Sequence, residues 1–188
     1  RGPEGLLNKV RERRGHEGGV EYLYYYEAVE QGYPGALKTV ARYEWTEEND
    51  LRLTLTAESD APTVLNLTNH AYFNLNGEGN GSILGHTLML NASEYLPTDA
   101  TQIPLGESEP VAGTPMDFVN PKPIGQDINA DFEALKIGKG YDHCWVIDGA
   151  EPGQLQLCGE LYAPESGRLP TIYTAQPGVQ VYTGNWLA

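Results

Sequence analysis

The 188-residue sequence predicts an antiparallel, all-β sandwich, and three observations carry that prediction. Apolar and polar residues alternate with period two in short runs, turn-forming residues separate those runs at short intervals, and no stretch shows a long amphipathic helical repeat. Alternation is clearest in Leu51-Arg52-Leu53-Thr54-Leu55-Thr56, where the three leucines share one strand face, expected to be buried.

Further strands are expected over Val20 to Tyr26, Lys38 to Trp45, His86 to Leu90, Leu155 to Tyr162, Arg168 to Thr174 and Val179 to Thr183. All are rich in β-branched, aromatic or leucine residues. Turn chemistry punctuates them at Gly18-Gly19, Tyr33-Pro34-Gly35, Glu48-Asn49-Asp50, Asn76 to Gly81, Glu151-Pro152-Gly153 and Glu165-Ser166-Gly167. A helical turn is suggested only over Asp131 to Ile137. Six prolines between Pro97 and Pro123, with little alternation, predict a long ordered excursion rather than a ladder. No internal repeat or linker is visible, so residues 1–188 read as a single domain or a large part of one.

The formal net charge of −14 disfavours contact with nucleic acid or anionic membrane and leaves neutral, hydroxyl-rich ligands open. The basic cluster Lys9, Arg11, Arg13 and Arg14 is interrupted by Glu12 and reads as a solvated strand edge. Cys144 and Cys158 are too few for a disulfide framework and lack metal-ligand spacing. Two free, buried thiols point to a reducing, cytoplasmic setting. No run is long and apolar enough for a bilayer span and no leader segment is evident, although Arg1 is not a natural beginning.

Of the four histidines, only His70 has informative neighbours. It stands in Asn66-Leu67-Thr68-Asn69-His70-Ala71-Tyr72-Phe73-Asn74-Leu75, read as the end of an apolar strand before a Gly-rich turn. On spacing alone, a catalytic and a hydrogen-bonded structural histidine are equally open. His86 reads as structural or exposed. A metal site built on His70 and His143 lacks a third ligand at recognisable spacing. The Asn-x-Ser/Thr triplets at Asn66, Asn80 and Asn91 read as coincidental.

The ten-residue run around His70 closely resembles the segment of aldose 1-epimerases (galactose mutarotases) that supplies the catalytic acid. The resemblance continues in order through Gln31-Gly32-Tyr33-Pro34-Gly35, Tyr95-Leu96-Pro97-Thr98-Asp99, Gly140-Tyr141-Asp142-His143 and Gln176-Pro177-Gly178-Val179-Gln180-Val181-Tyr182-Thr183-Gly184-Asn185. It implies a galactose mutarotase-like β-sandwich, here incomplete. The activity implied is an isomerase interconverting the α and β anomers of a free aldose by ring opening and closure, with no metal or organic cofactor.

In that resemblance His70 is the general acid at the ring oxygen, Tyr72 lines the sugar pocket, and Asp142 accepts hydrogen bonds from sugar hydroxyls. Gln176 holds the substrate from a strand beginning near Thr174. Without the resemblance, Asp142 reads equally as a turn aspartate and Gln176 as a polar residue beside a Pro-Gly turn. Tyr72, Phe73, Tyr141 and Trp145 could each cover a sugar face or belong to the core. His143, next to Asp142, should point to the opposite strand face and is not expected to be catalytic.

His16, in Gly15-His16-Glu17-Gly18-Gly19, imitates the family's second active-site histidine. The resemblance of the Arg1-Gly2-Pro3-Glu4-Gly5 opening to the family implies that this histidine is expected before Arg1. The family's glutamate base is expected after Ala188, so the chain alone is expected to be nearly inactive. Two other classes compete: a non-catalytic carbohydrate-binding β-sandwich, and an epimerase of phosphorylated sugars, for which no arginine motif is present. The sequence leaves the oligomeric state and the preferred aldose open.

Overall fold

The structure, a computed structural model, describes residues 12–28 and 32–187. Lys9, Arg11, Gln31 and the Arg1-to-Gly5 opening lie outside the described residues. The chain divides into two compact units, Arg1–Ala71 and Tyr72–Ala188.

The first unit is a four-stranded antiparallel meander in the order β1-β2-β3-β4: β1 Glu12–His16, β2 Gly19–Tyr26, β3 Leu37–Trp45 and β4 Leu51–Ser59. Its tightest turn is Glu17-Gly18, where Gly18 has φ 73° and Trp45 N–H bonds to the Gly18 carbonyl. That backbone angle is one glycine adopts without steric cost. His16 is the last residue of β1, paired with Gly19, and so stands on the strand beside the turn rather than in it. The β4 leucines are less buried than their alternation predicts, because β4 is an outer strand of its sheet: Leu53 and Leu55 are half-buried and Leu51 is exposed.

The second unit holds two more antiparallel sheets. One has the order β11-β10-β5-β8: β5 Thr87–Leu90, β8 Lys122–Pro123, β10 Gln156–Tyr162 and β11 Thr171–Thr174. The other has the order β12-β9-β6-β7: β6 Glu94–Leu96, β7 Glu109–Pro110, β9 Asp142–Val146 and β12 Gly178–Tyr182. A short helix, α1 Glu133–Gly138, stands where a helical turn was expected.

Both sheets contribute to one core. Leu88 and Leu90 of β5, Tyr95 of β6 and Trp145 of β9 pack with Val111, Met116, Phe118 and Tyr141. The proline-rich excursion is therefore not a surface strap: it supplies two short ladder segments, β7 and β8, and three buried side chains, Val111, Met116 and Phe118. The polar ends of the buried aromatics are satisfied, Trp145 Nε1–H by the Met116 carbonyl at 3.0 Å and Tyr141 O–H by the Pro115 carbonyl at 3.0 Å.

Where the chain crosses from β5 to β6, Asn91 donates to the Leu157 carbonyl at 3.3 Å, and Ser93 bonds through N–H and hydroxyl to Asp148 Oδ1 at 3.1 and 2.8 Å. Polar groups at the sheet change are thereby paired.

Candidate active site

β9 and β12 pair antiparallel with Asp142 opposite Tyr182 and Cys144 opposite Gln180. Side chains alternate along β9, so His143 and Trp145 enter the core, while Asp142, Cys144 and Val146 occupy the less buried face. On β12, Gln180 and Tyr182 are two residues apart and share a face. Gln180 Nε2 donates to Asp142 Oδ1 at 2.8 Å, and Gln102 Nε2 lies 3.4 Å from Asp142 Oδ2. The Tyr72 ring stands 5.8 Å from that of Tyr182, tilted by 55°.

Gly140-Tyr141-Asp142-His143 is held by the Thr183-Gly184-Asn185 end of another motif. Asn185 Nδ2 donates to the carbonyls of Gly138 and Tyr141 at 2.8 and 2.9 Å, and the Tyr141 N–H donates to Thr183 Oγ1 at 3.1 Å. Gly140 must be glycine: its φ is 132°, and a Cβ there would stand 2.6 Å from Asn185 Oδ1. Gln102 comes from a tight loop in which Asp99 Oδ1 accepts from Thr101 N–H at 2.7 Å and Ile103 N–H at 3.1 Å. That loop puts Gln102 in the left-handed region, φ 66°. Two motif stretches, and the loop that follows the Tyr95-to-Asp99 motif, thus meet at Asp142.

His70 lies in the first unit, on residues 62–71, which carry no regular secondary structure. The apolar strand expected there is not formed. Asn69 Oδ1 instead accepts the Ala71 N–H at 2.8 Å, an Asx turn centred on an exposed His70. Asn66 is likewise exposed and outside any strand.

Tyr72 and Phe73 are exposed, whereas Tyr141 and Trp145 are fully buried and belong to the core. Gln176 is exposed in the bend between β11 and β12, its N–H on Thr174 Oγ1 at 3.1 Å. Thr174 ends β11 rather than beginning a strand. The glutamine that reaches Asp142 is Gln180. Sequence reasoning singled out neither Gln180 nor Gln102. Counting in twos from Tyr182 finds Gln180, but Gln102 sits in a loop without periodicity.

His86 is buried and accepts the Leu75 N–H on Nε2 at 3.1 Å, which makes it structural. Cys158 is buried and Cys144 half-buried, both free, and burial pushes the Cys158 thiol up to about 11. Among the described residues no group of three or more His, Cys, Asp or Glu could hold a metal, and no helix is long and apolar enough to cross a membrane.

Burial lowers the pKa of His86, with Glu165 opposing, and of His143, with Asp142 opposing. Both imidazoles are therefore neutral when folded and take up protons on unfolding once the pH drops below about 6.5, so stability is complete above that value and lost as pH falls through the lower folded values. Asp99 and Asp131 are held below 3.8, chiefly by hydrogen bonds from Thr101 and Lys136, and act only in a more acid window. The melting temperature should be level above pH 7 and decline as the pH falls below about 6.5. A level profile through that window contradicts the burial of neutral histidines.

A carboxylate flanked by carboxamides, beside the exposed Tyr72 and half-buried Tyr182 rings, is a donor–acceptor set suited to a neutral, hydroxyl-rich small molecule. The all-β fold around it narrows the class further. The profile of the Aldose 1-epimerase family matches residues 7–188, and the chain belongs to that family. It is 38% identical over 169 residues to a Homo sapiens protein named galactose mutarotase, covering 90% of this chain and 47% of that protein. It is 36% identical over 158 residues to the aldose 1-epimerase of Escherichia coli K12, covering 84% and 45%. The crystal structure of galactose 1-epimerase from Lactobacillus acidophilus superposes with a TM-score of 0.80 at 29% identity, over 97% of this chain and 53% of that one. The chain spans about half the length of the curated relatives it matches.

Proposed function

We propose that the full-length protein interconverts the α and β anomers of a free aldose such as galactose or glucose by acid/base-catalysed ring opening and closure. The observation that carries this reading is the Asp142 carboxylate, held by Gln180 and Gln102 on a sheet face beside Tyr182 and Tyr72, in a chain of this family.

In the opening step His70 gives a proton to the ring oxygen while a base removes one from the anomeric hydroxyl. The C1–O5 bond breaks as the C1 carbonyl forms. Rotation about C1–C2 and the reverse transfers then close the other anomer. Protons balance over the cycle, and no redox step occurs. None of this chain's glutamates is assigned as the base. Each Asp142 oxygen has lone-pair capacity beyond the amide hydrogen it already accepts, which suits it to sugar hydroxyl donors. Tyr72 offers a ring to the apolar C–H face, and Gln176 and Gln180 offer carboxamides.

The family match runs across both compact units, which supports reading residues 1–188 as parts of one epimerase domain. The two free cysteines support a cytoplasmic setting, and the net charge of −14 supports a small neutral partner over nucleic acid or membrane.

Asp142→Ala in the full-length protein should raise KM for the aldose by about tenfold or more, the cost of losing hydrogen bonds to a charged acceptor. Far-ultraviolet circular dichroism should be unchanged, because the carboxylate is not part of the core. An unaltered KM removes Asp142 from the site.

A further inference from the structure

Tyr72 and Phe73 are exposed, and the course of the chain that carries them is set in part by where it is fastened beside them. The fastening is at Leu75. Its N–H donates to His86 Nε2 at 3.1 Å, and its carbonyl accepts from Ser166 Oγ at 2.9 Å and Arg168 Nη1 at 2.7 Å. On either side, Asn74 Nδ2 donates to the Gly81 carbonyl at 3.2 Å and Asn76 Nδ2 to Glu165 Oε2 at 3.1 Å. Ser166 and Arg168 are 91 and 93 residues further along the chain, so these bonds tie the Tyr72 segment to the β10–β11 hairpin.

That hairpin is itself rigid. Gly167 N–H bonds to the Ala163 carbonyl at 2.9 Å, Ala163 N–H bonds to the Arg168 carbonyl at 3.0 Å, and Ala163 is fully buried. A guanidinium on a carbonyl oxygen is a charge-assisted bond, stronger than a neutral pair. His86 is positioned by its own ladder, with its carbonyl accepting Ile124 N–H at 2.9 Å. Both backbone groups of one residue are thus taken by side chains from two separate elements. Only Phe73 and Asn74 separate that residue from Tyr72, a span of about 11 Å at most.

We propose that Arg168, with Ser166 and His86, is a positioning residue that holds the Tyr72 segment at the angle substrate binding requires. The assignment rests on the mutarotase reading above. A simple hairpin-stabilising arginine would have no need to reach Leu75, and its loss would loosen β10 and β11 instead.

The test compares Arg168→Met, Arg168→Lys and Ser166→Ala in the full-length protein, by mutarotation kinetics and by amide hydrogen exchange. Arg168→Met should raise KM by about tenfold, the scale of one charge-assisted bond, with kcat within about twofold. Amide exchange should speed up over residues 72–80 and stay unchanged over β10. Arg168→Lys, which keeps a charged donor, should recover part of the affinity, and Ser166→Ala should show the same split at smaller size should Arg168→Met fold poorly.

An unchanged KM, or faster exchange confined to β10 and β11, overturns the proposal. A wild-type protein that does not accelerate mutarotation overturns the functional reading and this role with it. That failure shows in the wild type, whereas failure of the positioning role shows only in the variants.

Discussion

His70→Ala and His70→Asn should each lower the catalysed mutarotation rate of the full-length protein by about 10²–10⁴-fold, the range one general acid contributes. Ring opening leaves the ring oxygen with developing negative charge, and a proton delivered to it in the transition state removes that charge. Alanine removes both the proton and the hydrogen bond. Asparagine keeps a donor of similar reach but cannot transfer a proton at neutral pH, so the pair separates proton transfer from orientation. The loss should fall mainly on kcat, because the interaction strengthens as the bond breaks. His70 is exposed on an Asx turn outside any ladder, so the variants should unfold at the same urea concentration as the parent. Near wild-type rates in either variant remove His70 from the acid role.

Trp145→Ala should have the opposite signature, a loss of about 3–5 kcal/mol in urea unfolding of the second unit. Trp145 is fully buried on β9 against Phe118 and Tyr141, with ring centroids 5.9 and 6.1 Å away. Removing the indole opens a cavity and strands the Met116 carbonyl that Nε1–H satisfied. Because Asp142 lies three residues earlier on the same strand, activity should fall with the folded fraction. That cost is a large share of a typical domain's total stability. Trp145→Phe, which keeps most of the ring volume, should cost less. Wild-type stability in Trp145→Ala contradicts the placement of this side chain in the core.

The strands with four or more alternating or β-branched residues, β2, β3, β4, β5, β10, β11 and β12, were legible in the sequence. β1 was anticipated only as the solvated strand edge that carries Arg13 and Arg14, and β6, β7, β8 and β9 were not legible, for local reasons. β6, β7 and β8 have two or three residues each, below the length at which a period of two can be seen. In β9 the alternation is disguised because a histidine, His143, takes one of the buried positions. The segment before His70 misled in the other direction: Val64 and Leu65 look like strand residues but are exposed and unpaired.

Asp142 was legible only through its motif context, since a turn aspartate has the same local signature. Gln176 was singled out only through the family resemblance, and the contact of Gln180 with Asp142 becomes visible only in the pairing of β12 with β9. Gln102 and Arg168 act across long sequence separations, from a proline-rich loop and a hairpin turn, and single-sequence periodicity carries no information about such contacts.

The central claim is that this chain belongs to a protein that accelerates anomer exchange rather than one that only holds sugar. Polarimetry on the full-length protein, started separately from freshly dissolved α-galactose and β-galactose, tests it most directly. The account predicts that both rotations reach the same equilibrium value, unchanged by the protein, with a rate constant rising in proportion to enzyme concentration above the spontaneous one. A rate constant that stays at the spontaneous value at every protein concentration, with sugar binding still measurable, would contradict it and favour a carbohydrate-binding domain.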